Sequence, residues 1–295
     1  MRGAAVNAVK RVAAVHDLSG YGRASLTVVI PVLSRLGIQV CPLPTAVLSA
    51  HSEYAGFRSL DLTDFMVETV AHWRALGLWF DALYSGYIAS ARQVGVVEDF
   101  FRAFGDERNF VVVDPVLGDH GSLYPGTGED MVAGMRRLCG RAGVITPNLT
   151  EAALLLGRDP RGRVSPTEIV GWCEELSAMG PRHVIVTSAP HEEEGVVATV
   201  AFDRVDGRAW RVACERVPAS YPGTGDAFAS VVTGCLLNGE SLPVAVDRAV
   251  FFVNAGIKET FGYPHRPLDG MNQERAMRCL DAPLPRYGYE LIGGG

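Results

Sequence analysis

The sequence contains 295 residues, of which 27 are lysine or arginine and 33 are aspartate or glutamate, giving a formal net charge of −6. Hydrophobic residues make up 48% of the chain and charged residues 20%, a composition that supports a large core and excludes a disordered chain. Nucleic-acid binding requires a basic face, so the mildly acidic balance argues against a nucleic-acid partner.

Nothing in the sequence predicts a membrane or secretory segment. No apolar run reaches the ~18 residues that a membrane-spanning helix needs. The first residues carry charges at Arg2, Lys10 and Arg11 and lack a clean apolar stretch, so they do not resemble a signal peptide. The six cysteines are scattered without a C-x-x-C pair, which favours reduced thiols. We therefore expect a cytoplasmic protein with no membrane partner.

Apolar runs alternate along the chain with segments of helical periodicity, which predicts repeated strand–helix units. The predicted strands are 11–16, 39–46, 80–87, 110–113, 144–146, 183–187, 196–202 and 209–215. The predicted helices are 24–36, 62–76, 91–104, 131–142, 150–156, 167–179, 226–237 and 242–260. Asp206-Gly207 separates the last two strands and is a hairpin signal, while prolines place the second strand near an edge of the sheet.

Repeated strand–helix units predict an α/β protein of three layers. Helices cover both faces of a mainly parallel central sheet, and the late hairpin adds an antiparallel piece. The lack of repeats and of a long linker favours one domain over residues 1–295, with a core at about 11–262 and a C-terminal tail at 263–295. Ligands of such sheets bind at the carboxyl ends of the strands, so residues that follow strands are the functional candidates.

The first glycine loop, Gly20-Tyr-Gly22, follows a predicted strand and precedes a helix. That order is also found in dinucleotide-binding folds. Ser25 occupies the position of the third glycine, however, and the next strand ends without the acidic residue that would hold a ribose. A dehydrogenase is therefore disfavoured.

A later glycine loop, Pro222-Gly223-Thr224-Gly225-Asp226, stands directly before an apolar helix. Two glycines and a helix N-terminus can form an anion hole for a phosphate or a developing oxyanion, with Asp226 beside it. The alternative is a tight turn in which Asp226 only caps the helix.

Polar residues follow two neighbouring predicted strands. DPVLGD (114–119) follows strand 110–113, and TPNLTE (146–151) follows strand 144–146. Carboxylate and amide oxygens suit Mg²⁺, which takes few protein ligands together with waters and phosphate oxygens. Each segment alone also fits a turn or a helix cap, with Asn148 or Thr150 as the N-cap and Glu151 in the first turn. Their place at consecutive strand ends, beside an anion hole, favours a functional site.

Several segments together resemble the ribokinase-like superfamily and, within it, the pyridoxal/pyridoxine (vitamin B6) kinases. The resemblance covers roughly residues 11–262. G-T-G-D before a helix is the signature of the superfamily and does not set the substrate. The more specific segments are GYGRASLTVVIPVLSRLG, PTAVLSAHS, YSGYIAS, VDPVLGDHGSLY and ITPNLTEAALLLG.

The resemblance implies a pyridoxal kinase that uses ATP to phosphorylate the hydroxymethyl group of pyridoxal, pyridoxine or pyridoxamine. Asp226 matches the general base, and Gly223, Thr224 and Gly225 match the anion hole. ATP and Mg²⁺ are implied as cofactors, with a monovalent cation such as K⁺, and a homodimer is implied as the assembly.

The other residues implied by the resemblance contact the metal, the nucleotide or the pyridine ring. Those matched to the metal region are Asp114, Asp119 and Glu151. Those matched to ATP are Asp114, Thr146, Asn148, Glu151, Thr187 and Ser188. Those matched to the B6 vitamer are Asp17, Ser52, Tyr87 and Tyr124, together with Asp226.

Two charges depart from the family pattern and leave the preferred vitamer open. Many relatives carry serine where this sequence has Asp17, and Glu53 lies close to the expected ring site. The nearest alternative function is a hydroxymethylpyrimidine kinase or another small-alcohol kinase, because these share G-T-G-D. The second alternative is a non-catalytic vitamer-binding protein, which the intact run 223–226 disfavours. His16 and His51 fit a pocket lining and a structural role about equally.

Overall fold

Strands and helices alternate along most of the computed structural model, which describes residues 9–107, 109–284 and 287–294. The strands are β1 (Arg11–Ser19), β2 (Gln39–Leu48), β3 (Ser59–Asp61), β4 (Ala82–Ser85), β5 (Phe110–Val113), β6 (Gly118–Asp119), β7 (Ser122–Leu123), β8 (Val144–Ile145), β9 (His183–Ala189), β10 (Val196–Asp203), β11 (Arg208–Glu215) and β12 (Tyr289–Gly293). The helices are α1 (Leu26–Arg35), α2 (Thr63–Ala75), α3 (Ala91–Phe104), α4 (Glu129–Cys139), α5 (Leu149–Leu156), α6 (Glu168–Ala178), α7 (Thr224–Leu237), α8 (Leu242–Phe261) and α9 (Gln273–Ala276).

Over the described ranges, ten strands form one sheet in the order β12-β11-β10-β9-β8-β5-β4-β1-β2-β3. The strands from β9 to β2 in that order pair in parallel. β3 and the strands β10 to β12 pair antiparallel to their neighbours. The predicted hairpin around Asp206-Gly207 is confirmed as β10–β11. Because the central strands are parallel, their carboxyl ends share one edge of the sheet.

Helices cover both faces of the sheet, as the continuous apolar runs of the strands require. In β1, Val12 and Ala14 join the core that includes α1, α7 and α8, whereas Ala13 and Val15 join the core that includes α2 to α6. The predicted three-layer architecture is therefore confirmed. Over the part of the chain that the structure describes, no helix is both long and apolar enough to cross a membrane.

Some local features differ from the sequence prediction. β4 ends at Ser85, although the apolar pattern continues to Tyr87. The short strands β3, β6 and β7 were not predicted. The segment after Gly262 was expected to be a tail, yet its strand β12 pairs with β11 at one edge of the sheet.

Candidate active site

The loop before α7 turns at Gly223, whose φ of 81° lies in the left-handed region that favours glycine. A Cβ atom here would collide with the carbonyl oxygen of Arg23, so the loop packs directly against the first glycine loop. Among the described residues no side chain caps α7, and its first N–H groups stay open to an anion. Thr224 donates its hydroxyl proton to the carbonyl oxygen of Tyr221 at 3.1 Å. The predicted anion-hole residues Gly223, Thr224 and Gly225 are thus the last loop residue and the first turn of α7.

Asp226 lies in that first turn, with its side chain 14% exposed. Its Oδ2 atom accepts a hydrogen bond from the backbone N–H of Ser25 at 2.8 Å, and its Oδ1 atom lies 3.7 Å from Nδ1 of His16. Burial raises the pKa of Asp226 to about 6; the charge of Asp17 adds to the rise and the Ser25 N–H opposes it. A carboxylate with a pKa near neutrality is suited to accept a proton from an alcohol.

Asp114 follows β5 and lies close to the same helix start. It is buried, and its Oδ1 atom accepts a hydrogen bond from the hydroxyl of Thr146 at 3.0 Å. Its Oδ2 atom lies 4.0 Å from the position that a Cβ atom on Gly225 would occupy. Burial and the neighbouring charge of Asp226 raise the pKa of Asp114 to about 7. Two carboxyl groups that repel each other in a buried site fit the approach of a cation.

Asn148 and Glu151 form a reciprocal capping box at the start of α5. Asn148 Oδ1 accepts from the Glu151 N–H and Glu151 Oε2 accepts from the Asn148 N–H, both at 2.9 Å. Glu151 Oε1 accepts from the Leu117 N–H at 3.1 Å, and Asn148 Nδ2 donates to the carbonyl oxygen of Gly118 at 2.9 Å. Burial and the charge of Asp114 raise the pKa of Glu151. The capping interpretation is confirmed, and the same bonds fix the loop that follows β5.

The other nucleotide and metal candidates lie at this edge in more open positions. Asp119 on β6 has a side chain 42% exposed, and its Oδ1 atom accepts from the His120 N–H at 2.7 Å. Thr187 and Ser188 are in β9, where the Thr187 N–H donates to the carbonyl oxygen of Pro147 at 2.9 Å. No group of three or more His, Cys, Asp or Glu side chains in the described ranges is arranged to hold a metal. Mg²⁺ at this edge would therefore also need water and phosphate oxygens as ligands.

The predicted ring contacts divide into buried and exposed groups. Asp17 is buried, and its Oδ2 atom accepts a hydrogen bond from the hydroxyl of Ser19 at 2.9 Å. Burial raises the pKa of Asp17, and it also raises the pKa of the half-buried Tyr87, to which the charge of Asp17 contributes. Tyr124 is half-buried. Its pKa is raised mainly by burial and further by the charges of nearby carboxylates. Ser52 is exposed in the turn between β2 and β3.

The segment after α8 packs over the first glycine loop, which the sequence did not predict. Asp269 accepts hydrogen bonds from the hydroxyls of Tyr54 at 2.5 Å and Tyr21 at 3.2 Å. Arg23 donates to both carboxylate oxygens of Glu274 at 2.9 Å. These bonds hold the segment before α1, in which the backbone N–H of Ser25 donates to Asp226, the candidate base. The partners are more than 200 residues apart, and no local pattern indicates them.

A surface cavity of about 690 Å³ lies away from this site, near the amino ends of β5, β8 and β9. None of the predicted site residues lines it. Its Arg182 donates to Asp203 at 3.0 Å, and His183 lies 3.2 Å from the same carboxylate. The candidate active-site residues therefore lie at the opposite edge of the sheet and not in this cavity.

Phosphoryl transfer to an alcohol needs a base beside a place for anionic oxygens, and a carboxylate of raised pKa next to the uncapped start of α7 has the geometry for both. In a three-layer α/β fold with this strand order, that arrangement defines a small-molecule kinase of the ribokinase-like class. Residues 30–269 match the model of the phosphomethylpyrimidine kinase family, and the chain belongs to that family. The predicted fold class and kinase class are confirmed.

Solved structures and a curated relative agree with this placement. A protein from Bacteroides thetaiotaomicron VPI-5482, described as a candidate phosphomethylpyrimidine kinase, is 49% identical, with a TM-score of 0.95 over 98% of this chain and 100% of the other. Its orthorhombic form, crystallised with pyridoxal, gives a TM-score of 0.93 over 96% and 100%. The pyridoxal kinase from Lactobacillus plantarum is 31% identical, with a TM-score of 0.83 over 92% and 96%. A pyridoxine/pyridoxal/pyridoxamine kinase from Bordetella avium is 32% identical over 249 residues, 81% of each chain.

Proposed function

We propose that this protein transfers the γ-phosphoryl group of ATP to the hydroxymethyl group of pyridoxal, pyridoxine and pyridoxamine. The observation that carries the proposal is the largely enclosed Asp226, held by the Ser25 N–H beside the uncapped start of α7. The crystal form with pyridoxal of a protein 49% identical to this chain supports a vitamer as the substrate.

In the proposed mechanism, the chain positions the reactants and stabilises charge. Asp226 accepts the proton of the substrate hydroxyl as the oxygen attacks the γ-phosphorus atom. The N–H groups of Gly223, Thr224 and Gly225 stabilise the negative charge that develops on the transferred group. Asp17, Tyr87 and Tyr124 contact the pyridine ring, and Ser52 lies at the rim of the ring site.

Two carboxylates at this edge of the sheet fit Mg²⁺ and the phosphates of ATP. The Oδ2 atom of Asp114 lies 4.0 Å from the Cβ position of Gly225, and Asp119 lies half-exposed on β6, in the segment that follows β5. Bound Mg²⁺ supplies positive charge that offsets the phosphate oxygens. Glu151 and Asn148 act by fixing the loop after β5, and Thr146, Thr187 and Ser188 lie at strand ends that face the nucleotide. A requirement for K⁺ or another monovalent cation stays a prediction.

Asp226→Asn tests the base with little change of shape. We expect kcat with pyridoxal to fall by about 10²–10⁴-fold while the Kd for ATP stays near that of the unaltered protein. The carboxylate form of Asp226 predominates above its pKa of about 6, so the rate of the unaltered protein should rise as pH increases through that value. Formation of pyridoxal 5′-phosphate is the measurement. Near-normal turnover by the variant would exclude Asp226 as the base.

Hydroxymethylpyrimidine is the second candidate substrate, because its kinases share G-T-G-D and the matching family is named for the related phosphomethylpyrimidine. Its kcat/KM is measured beside those of the three vitamers under identical conditions. Turnover of hydroxymethylpyrimidine alone would keep the base and the anion hole but change the substrate. Binding of vitamers without turnover of any of the four would favour a non-catalytic vitamer-binding protein.

We also propose that the protein is a homodimer. All three residues of the edge strand β3 are exposed, and Leu60 at its centre is 62% exposed. Phe57 and Phe65, on either side in sequence, are 38% and 55% exposed. An open edge strand with apolar neighbours is a surface that proteins usually cover.

A further inference from the structure

Polar side chains without partners are buried beneath Asp226. Both ring nitrogens of His16, the hydroxyl of Tyr84 and the hydroxyl of Ser230 lack hydrogen-bond partners, and all three residues are 0% exposed. His16 is on β1, Tyr84 is on the neighbouring β4, and Ser230 lies one helical turn after Asp226 on α7. Buried polar groups are normally paired, so unpaired ones at the base of a candidate active site call for a functional explanation.

The His16 ring has a fixed place in this site. It packs edge-on against Tyr84, with ring centroids 4.5 Å apart and an interplanar angle of 76°. A Cβ atom on Gly86 would collide with the imidazole, so only glycine leaves room for the ring. Nδ1 lies 3.7 Å from Oδ1 of Asp226. Burial lowers the pKa of His16 to about 3, and the imidazole is therefore neutral at physiological pH.

We propose that His16 is a positioning residue that holds the carboxylate of Asp226 through an Nδ1–H donor. The Ser25 N–H binds Oδ2 at 2.8 Å, and His16 faces the other oxygen, Oδ1, so the two donors fix the orientation of the carboxylate. An ionised carboxylate only accepts hydrogen bonds, which selects the tautomer with the proton on Nδ1. The separation of 3.7 Å closes to a hydrogen bond when substrate fills the site, as catalytic contacts commonly do. The inference rests on the proposed role of Asp226 as general base.

Other groups near Asp226 set its charge balance. Asp17 on β1 and Asp114 after β5 are acidic and oppose its ionisation, as their mutual effects on pKa show. Tyr84 on β4 stays neutral, because burial and the charges of Asp114 and Asp226 raise its pKa well above its ordinary value. When the His16 donor is removed, the Ser25 N–H still stabilises the ionised form of Asp226, while the charges of Asp17 and Asp114 oppose it.

His16→Phe, His16→Gln and Ser85→Ala test the inference. Phenylalanine keeps a ring against Tyr84 without a donor, and glutamine restores an N–H group. Ser85 is a matched control, since its hydroxyl is also buried and unpartnered while its neighbours Val15 and Val113 belong to the opposite core. We expect His16→Phe to lower kcat for pyridoxal about 10- to 100-fold with little change in KM, and to move the acidic limb of the pH profile upward. His16→Gln should recover most of kcat, and Ser85→Ala should match the unaltered protein.

A second measurement does not depend on activity. The ¹⁵N NMR spectrum of the imidazole, assigned by its loss in His16→Gln, should show a neutral ring protonated at Nδ1. A ring protonated at Nε2, or a His16→Phe variant with unchanged kcat and pH profile, would overturn the inference. If Asp226→Asn retains turnover, the proposed base is wrong. If only the His16 results fail, the base stands and the positioning role does not.

Discussion

At the scale of single residues, the site contains buried carboxyl groups that suit catalysis and oppose folding. The pKa of Asp114 is raised to about 7 from an ordinary value of 3.8, so the folded chain binds a proton at Asp114 more tightly than the unfolded chain does. Protonation therefore favours the fold at low pH, and this contribution is lost as pH rises from about 4 to about 7. At neutral pH, the negative charge of ionised Asp114 is available to bind a cation.

Asp114→Asn should stabilise the protein where the carboxylate would be ionised. Asparagine can still accept the hydrogen bond of Thr146, so only the buried charge is removed. We expect a higher free energy of unfolding at pH 8 in the absence of Mg²⁺, with a ceiling of about 4 kcal/mol from the pKa shift, and little difference at pH 4. Urea denaturation at both pH values is the measurement.

Asp119→Asn is the matched control, because its side chain is 42% exposed. We expect the free energy of unfolding of Asp119→Asn to differ from that of the unaltered protein by less than about 0.5 kcal/mol at either pH. Lower stability of Asp114→Asn at pH 8 would show that the charge of Asp114 is already compensated within the folded chain.

At the scale of elements, the start of α7 combines two glycines with different constraints. Gly223 has a φ of 81° and no room for a Cβ atom beside Arg23, so its need for glycine is structural. Gly225 lies inside the first turn, and an added Cβ atom would meet only Asp114 Oδ2 at 4.0 Å, an ordinary contact. Under the proposed mechanism, its lack of a side chain leaves space for the transferred phosphoryl group instead.

Gly223→Ala and Gly225→Ala should therefore separate folding from catalysis. We expect Gly223→Ala to lower the free energy of unfolding by ~1–3 kcal/mol through strain at positive φ. Gly225→Ala should keep or slightly raise stability, since alanine favours a helix, while its methyl group lowers kcat by about 10–10²-fold. Thermal unfolding and kinase assays give both quantities. Normal turnover in Gly225→Ala would place the transferred phosphoryl group elsewhere.

Sequence patterns predicted elements well where one signal dominated. α3 and β5 begin and end at the predicted residues, because helical periodicity and an unbroken apolar run are unambiguous. β4 is shorter than its apolar pattern, since the chain leaves the strand before Gly86, which makes room for the His16 ring. β12 carries no strong pattern and owes its place to pairing with β11.

The site was predicted in the same uneven way. Asp114, Thr146 and Asp226 come close to one another because parallel strands end at one edge, which the order of elements already implies. The contact from the Ser25 N–H to Asp226 spans 201 residues and uses a backbone donor, so no residue type marks it. Contacts of that kind depend on tertiary packing.

At the scale of the whole molecule, the two edges of the sheet differ in what covers them. β12 is added by the C-terminal segment beside β11, and Leu291 on it is 56% exposed. The opposite edge ends in β3, only three residues long, with Leu60 62% exposed. Exposed apolar side chains around a short edge strand favour association with a second copy at the β3 edge.

Leu60→Glu should separate the proposed homodimer without harming the fold. The side chain is exposed, so we expect the free energy of unfolding of the monomer to change by less than about 0.5 kcal/mol, whereas a charge at the centre of an apolar interface is costly. Light scattering coupled to size-exclusion chromatography should give a dimer mass for the unaltered protein and a monomer mass for the variant. Leu291→Glu, on the edge strand at the other side of the sheet, is the matched control and should remain a dimer. Loss of the dimer in Leu291→Glu alone would move the interface to the β12 edge, and a monomer mass for the unaltered protein would exclude the homodimer.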